Sequence, residues 1–299
     1  MVKLLGIGIG TMDIYRHHGM MYPGGNEYNI AYHASALGGQ AAFMGVFAND
    51  EVGKILFDTL DKQGIDLSHS HHEEGTSGYA IVDLVDGDRV FIDWNNHGVT
   101  DEHPFEITEE EIIYAKQFDV VCTSHYGRLT LEKVKKLAQG GAHICYDFCD
   151  FFTLKDIETL APYLDFGFLS ASHVQDKEEI KELLEKVVTL GCKIAVATMG
   201  GDGSIAYDGK KFYIQSCIKV KASDTMGAGD SFICAFLMNY LSRKADESSD
   251  LDDKISNSLH EAALFAAKVV TTNGSLGIGY KVNVNDLKQI LNIKEREEI

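Results

Sequence analysis

The chain has 299 residues, of which 45% are hydrophobic and 24% are charged, a composition typical of a soluble globular protein with a sizeable core. Its formal net charge of -18 repels nucleic acid and anionic membrane surfaces, so we expect neither as a partner. With 3 prolines and no low-complexity tract, the sequence offers no place for a disordered linker. It therefore predicts a single domain over residues 1–299.

Apolar residues at the start of the chain predict alternating strands and helices. A buried strand is expected at residues 2–9, where glycines are interspersed in an apolar run. Ile30, Ala34 and Leu37 then fall at helical spacing, and Gly38-Gly39 ends that helix. A strand at 41–47 and a helix over about 51–63 follow.

The segment from Tyr79 to Trp94 has a different pattern, with two β-rich runs joined by Asp86-Gly87. Asp-Gly is a favoured two-residue hairpin turn because both positions need a positive φ. No helix signal separates the two runs, so we predict that they pair antiparallel. With a second segment near the first strand, this hairpin would form a small antiparallel β flap, or lid, built from about residues 14–23 and 77–99.

From Phe118 onwards, short apolar runs alternate with helical patterns, which predicts a parallel sheet with helices on both faces. A second hairpin turns at Asp208-Gly209. The fold class is thus α/β, a mostly parallel central sheet plus the lid. The predicted elements of this region are strands at 120–123, 143–146, 166–169 and 193–197, the hairpin at 204–214, and helices near 131–138, 177–190, 229–241 and 259–272.

Three features of the sequence bear on the cellular location of the protein. The six cysteines are scattered, mostly within apolar runs, and form no Cys-x-x-Cys pair, which is typical of reduced thiols in a cytoplasmic protein. The apolar run from Leu4 to Met12 ends at Asp13 without a cleavage signature, so we predict no signal peptide. The uncharged stretch 30–48 is interrupted by polar residues and by glycines, so we predict no membrane span there.

The run Asp224-Thr-Met-Gly-Ala-Gly-Asp230 carries the most information about chemistry. Its two glycines let the backbone bend sharply and approach a ligand closely. Phe232, Phe236 and Tyr240 recur at every fourth residue, so we predict that a helix begins directly after the loop. A glycine loop that leads into a helix presents free amides and the positive end of the helix dipole, which predicts an anion site.

Asp230 lies in the first turn of that predicted helix, and two roles are open for it. A carboxylate beside an anion site can accept the proton of an attacking hydroxyl while the amides hold a transferring phosphoryl group. An acidic residue in this position can also simply cap the helix. The spacing alone favours neither role.

The same run resembles the C-terminal signature of the ribokinase/PfkB carbohydrate kinases, here Asp-Thr-Met-Gly-Ala-Gly-Asp-Ser-Phe. The resemblance implies that the amides of Gly227, Ala228 and Gly229 form an anion hole and that Asp230 is the catalytic base. It also implies a ribokinase-like fold and phosphoryl transfer from ATP with Mg²⁺. Asp224 is then the candidate for a monovalent-cation site, with K⁺ as the candidate ion.

Further matches run through the chain in the order of the family's motifs. The run Gly24-Gly25-Asn26-Glu-Tyr-Asn29 resembles the family's N-terminal sugar site. Asp13 matches the aspartate that binds substrate hydroxyls. The resemblance thus assigns this half of the chain to the substrate, a sugar or another small molecule.

A second group of matches concerns the nucleotide. The run Thr198-Met-Gly200-Gly-Asp-Gly203 resembles the family's Thr-x-Gly-x-x-Gly segment. Gly229 and Asn273 are the further nucleotide contacts that the resemblance implies. One stretch departs from the family: Ser170-Ala-Ser-His173 stands where many members have Asn-x-x-Glu, so the resemblance does not extend to metal and phosphate contacts from that position.

The finer resemblance is to the fructoselysine 6-kinase branch, which phosphorylates a conjugate of a sugar with an amino acid. It includes the run Asp88-Arg-Val-Phe-x-Asp-Trp94 in the predicted lid. Such a substrate carries ammonium and carboxylate groups. Arg89 would pair the carboxylate bidentately and Asp93 or Glu27 would pair the ammonium, although flap charges commonly just face water.

Several alternatives stay open. The chain could be a kinase of a plain ketose, of ribose or of a nucleoside, or a non-catalytic sugar- or nucleotide-binding regulator, because fold does not fix function. The exposed edges of a β lid can pair two subunits, so a homodimer through the lid is a further expectation. Asp147 and Asp150, at a predicted strand end, either face the substrate or lie in a surface turn.

Two other patterns carry less weight. The glycines of Gly6-x-Gly8-x-Gly10 are not followed directly by a helix, as a dinucleotide fingerprint requires, and no Walker motif is present. The histidine-rich segment 69–74 either binds a metal or forms a solvated connection, and its polar surroundings favour the connection.

Overall fold

The structure is a computed structural model that describes residues 1–85, 88–95, 98–174, 176–242 and 250–282, with side chains at all of these except 84, 85 and 88–90. Strands and helices are numbered in chain order. The strands are β1 Lys3–Ile7, β2 Thr11–Tyr15, β3 Met20–Gly24, β4 Gln40–Met44, β5 Val46–Ala48, β6 His71–Glu73, β7 Gly78–Val85, β8 Asp88–Trp94, β9 Val120–Ser124, β10 Ile144–Asp147, β11 Phe166–Ser170, β12 Ile194–Thr198, β13 Ser204–Tyr207, β14 Phe212–Gln215 and β15 Tyr280–Lys281. The helices are α1 Asn26–Ala36, α2 Glu51–Lys62, α3 Val99–Glu102, α4 Glu109–Ala115, α5 Leu131–Gln139, α6 Leu154–Leu160, α7 Lys177–Thr189, α8 Ala228–Ser242 and α9 Leu251–Val269.

The central sheet has eight strands in the order β14-β13-β12-β11-β10-β9-β1-β4. Neighbours from β12 to β4 pair parallel, while β13 and β14 extend the sheet antiparallel. Parallel strands end at the same edge of a sheet, so β9, β10, β11 and β12 all deliver their last residues to one side. Ligands of open α/β sheets bind at that edge.

Helices cover both faces of this sheet. Leu4, Val120 and Cys122 belong to the core that contains residues of α1, α2, α8 and α9. Their neighbours Leu5 and Val121 belong to the opposite core, with residues of α5, α6 and α7. Successive side chains of a strand point to opposite faces, so an apolar run supplies both cores at once. The predicted α/β class, a mostly parallel sheet between helices, is confirmed.

The two C-terminal helices differ in how well the sequence predicts their bounds. Helix α8 begins at Ala228, as the spacing of its aromatic residues predicts. Helix α9 begins at Leu251, eight residues before the predicted start at Leu259. The Asp250 carboxylate accepts the backbone N–H of Asp252 and caps the helix, so its acidic first turn is helical rather than a polar connection.

A second sheet of five strands has the order β15-β3-β2-β7-β8. Strands β7 and β8 form the predicted antiparallel hairpin, whose turn at 86–87 lies outside the described residues. Strands β2 and β7, however, pair parallel, so the prediction of a purely antiparallel flap is wrong at this pair. The chain passes through α1, β4 and α2 between them and re-enters the sheet in the direction of β2.

Two further observations concern the cysteines and the length of the apolar helices. All six cysteines are free thiols, and five of them are buried. No helix in the described part of the chain is long and apolar enough to cross a bilayer.

The ring of Phe236 is fully buried between α8 and the central sheet, 5.6 Å from the centroid of Phe168 and stacked on Tyr240. We expect Phe236→Ala to destabilise the fold by about 3–5 kcal/mol because a large cavity replaces the ring. Calorimetry should show a melting temperature lower by on the order of 10 °C. The matched control is Phe151→Ala, where the ring is 68% exposed and little change is expected. Equal melting temperatures for both variants would contradict this packing role.

Candidate active site

The loop before α8 requires glycine at one position and leaves open space beside another. Gly227 has φ 71°, and a Cβ there would lie 2.5 Å from the Cβ of Ser275, so only glycine fits. A Cβ on Gly229 would meet nothing within 4 Å, which leaves room beside the first turn of α8. The amide of Ala228 donates to the carbonyl of Thr225 at 3.3 Å, whereas no hydrogen bond of the Gly227 and Gly229 amides is found among the described residues. This is an arrangement suited to an anion.

Asp230 lies in the first turn of α8 and is buried. The side-chain amide of Asn29, on α1, donates to its Oδ2 at 2.7 Å. Burial raises the pKa of Asp230 well above its ordinary value, and the charges of Asp147, Glu27 and Asp13 raise it further, while the hydrogen bond from Asn29 opposes the shift. A carboxyl with a raised pKa, next to free amides, can accept a proton from a hydroxyl that attacks an anion held there.

Asp224 joins three segments that are distant in sequence. Its Oδ2 accepts the hydroxyl of Tyr15 on β2 at 2.5 Å and the amide of Gly274 at 2.8 Å. Its Oδ1 accepts the amide of Met226 at 3.0 Å, within the same loop. The carboxylate therefore holds the loop before α8 against the five-stranded sheet and the segment after α9. The monovalent-cation role of Asp224 stays a prediction.

The motif at residues 24–29 lies where β3 passes into α1. Asp13, on the adjacent strand β2, is buried, and a Cβ on Gly24 would lie 2.7 Å from its Oδ2. Gly25 has φ 117°, and a Cβ there would lie 2.3 Å from the carbonyl oxygen of Ile9. Both glycines thus let the chain pass close to neighbouring groups. Asn26, which follows, begins α1.

The sequence left the placement of Asp147 open, and the structure places it in this site rather than in a surface turn. Asp147 ends β10 and is buried. Its Oδ2 lies 3.4 Å from the side-chain nitrogen of Asn26, and its Oδ1 accepts the amide of Cys149 at 2.9 Å. Cys149 adopts φ 56°, so this turn is held in a conformation that L residues rarely adopt. Burial raises the pKa of Asp147 to about 6.

Glu27 is enclosed in the protein interior. The amide of Ile9 donates to its Oε2 at 3.3 Å, and Cβ atoms on Gly8 and Gly127 would lie 2.0 and 2.5 Å from its carboxylate oxygens. Burial raises the pKa of Glu27 to about 7. The suggestion that Glu27 pairs with a substrate ammonium is not supported by this position, because the backbone of two glycines surrounds the carboxylate.

The segment assigned to the nucleotide follows β12 at the same edge of the sheet. Thr198 ends the strand, and its carbonyl accepts the amide of Ala171 at 2.8 Å. Gly200 and Gly203 have φ of 55° and 96°, and a Cβ on Gly203 would lie 2.1 Å from the carbonyl oxygen of Gln215. These glycines are explained by backbone geometry, and their contact with a nucleotide stays a prediction.

Asn273 follows α9. It is exposed, and its side chain hydrogen-bonds the hydroxyl of Tyr22 on β3. This contact places Asn273 beside the five-stranded sheet. Its role toward a nucleotide also stays a prediction.

The two charged residues predicted to bind the substrate lie on β8. Asp93 is exposed, and its Oδ1 accepts the backbone N–H of Trp94 at 2.9 Å. The backbone of Arg89 pairs with Leu84 across the hairpin, but its side chain lies outside the described residues. The structure therefore does not bring Asp93 into contact with the buried carboxylates, and the role of Arg89 stays a prediction.

Metal ligation was the other possibility for the histidine-rich segment. Residues His71–Glu73 form β6 and pair with β5, so this segment is a short strand rather than a solvated connection. Within the described residues, no group of three or more His, Cys, Asp or Glu side chains could hold a metal ion. Mg²⁺ that is bound mainly by phosphates needs only one or two protein carboxylates. The lack of a larger cluster among the described residues is therefore compatible with an ion that arrives with a nucleotide.

Comparison with known proteins connects this geometry to a family. The profile of the pfkB family carbohydrate kinases matches residues 9–278. The chain belongs to the PfkB family. It is therefore an ATP-dependent carbohydrate kinase, which transfers a phosphoryl group to a hydroxyl of its substrate. Asp230 and the loop before α8 lie within the matched region.

Among curated relatives, "Fructoselysine 6-kinase" of Escherichia coli is 34% identical over 80% of this chain and 90% of its own length. "Fructosamine kinase FrlD" of Bacillus subtilis is 30% identical over 95% of this chain and 96% of its own length. The solved structure of Arabidopsis thaliana ribokinase, complexed with ribose and ATP, superimposes with a TM-score of 0.77 at 20% identity, covering 98% of this chain and 100% of that one. The ribokinase-like fold is confirmed.

The bond between Asn29 and Asp230 predicts a pH effect. The base must be ionised to accept a proton, so turnover should fall as the pH decreases through the raised pKa of Asp230. Asn29→Ala removes the hydrogen bond that lowers this pKa, so the acidic limb of the kcat–pH profile should move to higher pH. Asn257→Ala, at an exposed position of α9, is the control and should leave the profile in place. An unchanged limb in Asn29→Ala would show that Asp230 is not the titrating group.

Proposed function

We propose that this protein transfers the γ-phosphoryl group of ATP to the 6-hydroxyl of fructoselysine or of a related fructosamine. The observation that carries the proposal is the buried Asp230, which is held by Asn29 beside the amides of Gly227 and Gly229, for which no hydrogen bond is found among the described residues. The named activities of the relatives from Escherichia coli and Bacillus subtilis support the substrate class.

In the proposed reaction, the amides of Gly227, Ala228 and Gly229 hold the transferring phosphoryl group and Asp230 accepts the proton of the attacking hydroxyl. Mg²⁺, when bound with the nucleotide, neutralises charge on the phosphates. The buried Oδ1 of Asn29 has no partner among the described residues and is free to accept a second hydrogen bond from the sugar.

The sugar is held on the other side of the base. Asp13 and Asn26 orient its hydroxyls, and Gly24 and Gly25 let the backbone approach it closely. Thr198, Gly200, Gly203 and Asn273 contribute to the nucleotide side. K⁺, if it activates the enzyme, would be held near Asp224, and rates measured in potassium and sodium salts test this role.

We also propose that the five-stranded sheet is the lid of the site. Closure over the sugar would exclude water and limit hydrolysis of ATP.

Strand β8 lies at an edge of this sheet. Its Phe91 and Trp94 are 51% and 55% exposed. Such an edge can pair with the same edge of a second copy, so we propose a homodimer through the lid.

We also propose that the protein acts on small molecules in the cytoplasm, because free thiols are typical of proteins in a reducing compartment.

Replacing the base tests the mechanism. We expect Asp230→Asn to decrease kcat by about 10²-fold or more, because general-base catalysis contributes on this order. ATP affinity, measured by calorimetry, should be nearly unchanged, since the amides that hold the phosphates remain. Asp61→Asn, at an exposed position of α2, serves as the control. Near-normal turnover in Asp230→Asn would refute the assignment of the base.

A coupled assay of ADP release over fructoselysine, other fructosamines, fructose, ribose and adenosine tests the substrate. The highest kcat/KM is expected for fructoselysine or another fructosamine. A preference for fructose, ribose or adenosine would refute the proposed substrate class but not the family. Turnover with none of these would favour a binding protein over an enzyme of this specificity.

A further inference from the structure

Buried carboxylates lie close together on the side of the site where we propose that the sugar binds. Glu27, Asp147 and Asp230 all lie in the interior, and the charges of Glu27 and Asp147 both act on Asp230. In the part of the chain that the structure describes, none of these three forms an ion pair with a lysine, arginine or histidine. Buried charges of one sign without a counterion are costly, so this site is suited to a ligand that carries a positive charge.

The three carboxylates differ in what they can reach. Glu27 is enclosed by the backbone of Gly8 and Gly127. Asp230 is held by Asn29 and acts as the base. The Oδ2 atom of Asp147 lies 3.4 Å from the side-chain nitrogen of Asn26, a long contact that leaves lone pairs of the carboxylate for a stronger donor.

Asn26 and Asn29 connect the two carboxylates, Asp147 and Asp230, to one helix. These residues are three positions apart on α1, so they are neighbours on its surface, with Cβ atoms about 5–6 Å apart. Asn29 contacts Asp230, and Asn26 contacts Asp147. A ketose ring is of this size, and in a 1-amino ketose the amine lies at the end of the sugar opposite the 6-hydroxyl.

A second observation points to a ligand at this place. The Oδ1 of Asn29 is buried and has no hydrogen-bond partner among the described residues, although the residue is only 2% exposed. A buried acceptor without a donor is costly, and a hydroxyl of a bound sugar would satisfy it. The polar side chains between the two carboxylates are thus incomplete without a ligand.

We propose that Asp147 is the specificity-determining residue that binds the cationic amine at C1 of the ketose substrate. The inference rests on the proposed function. It adds the protein group that would distinguish an amino ketose from a plain ketose, the carboxylate of Asp147. The ammonium donates a charge-assisted hydrogen bond to Oδ2, while Oδ1 stays bound to the amide of Cys149. Asn26 keeps the carboxylate oriented.

The test compares substrates that share the accepting hydroxyl but differ in charge. Asp147→Asn removes the charge and keeps an oxygen that can accept the amide of Cys149. We expect kcat/KM for fructoselysine to fall about 10- to 100-fold, mainly through KM, because a charged hydrogen bond is lost. For fructose, kcat/KM should change by less than about 3-fold. Asp147→Glu, which keeps the charge, should retain more of the preference for the amine.

The matched control is Asp61→Asn, which makes the same charge change at an exposed position of α2. It should leave the ratio of the two kcat/KM values unchanged. Melting temperature and ATP affinity of each variant report whether the fold is intact. Equal losses on both substrates in Asp147→Asn would assign Asp147 a structural role and overturn the inference.

Failure of the inference and failure of the proposed function give different results. If the wild-type protein phosphorylates fructoselysine and Asp147→Asn does so equally well, the inference alone is wrong. If the wild-type protein phosphorylates a plain ketose and no fructosamine, the proposed substrate class is wrong and the inference falls with it.

Discussion

The site depends on the hydrogen bond between Asn29 and Asp230, which joins the first turns of α1 and α8. These helices come from opposite ends of the chain, and each follows a glycine-containing turn that brings its N-terminus to the same edge of the sheet. The amide of Asn29 is the donor that opposes the effect of burial on the base. Without it, a larger fraction of Asp230 would be protonated at a given pH, and only the ionised carboxylate can accept a proton.

A consequence of this arrangement is a division of the site into two sides. The backbone before α8 carries amides suited to an anion, whereas the side chains of α1, β2 and β10 carry acceptors and carboxylates suited to hydroxyls or a cation. The net charge of -18 does not prevent phosphate binding, because amides and the helix dipole act at short range. We therefore expect local polarity, rather than the overall charge, to decide where each substrate binds.

Much of the fold could be predicted from the sequence because its signals are local. The apolar runs that become β9 to β12 and the spacing of Phe232, Phe236 and Tyr240 need no knowledge of distant residues. The direction of β7 could not be predicted, since it depends on the path of the chain through α1, β4 and α2. The start of α9 was missed because its acidic first turn lacks an apolar stripe.

The same distinction holds for the site. The anion loop and Asp230 form one continuous motif, so the sequence identified them together. The placement of Asp147 beside Asn26 depends on the pairing of strands and helices far apart in the chain, and no local pattern reports it. The strand end at Asp147 was the one available signal, because the carboxyl ends of parallel strands face the ligand.

The hydroxyl of Tyr15 and the carboxylate of Asp224 connect the lid to the anion loop directly. Met226, in the same loop, packs on the buried cluster of Tyr15, Tyr22 and Val82 in that sheet. We therefore expect a movement of the proposed lid to change the surroundings of the amides before α8. Because linkage between two sites is reciprocal, a sugar that favoured one lid position would favour nucleotide binding by the same free energy, and the two substrates would bind cooperatively.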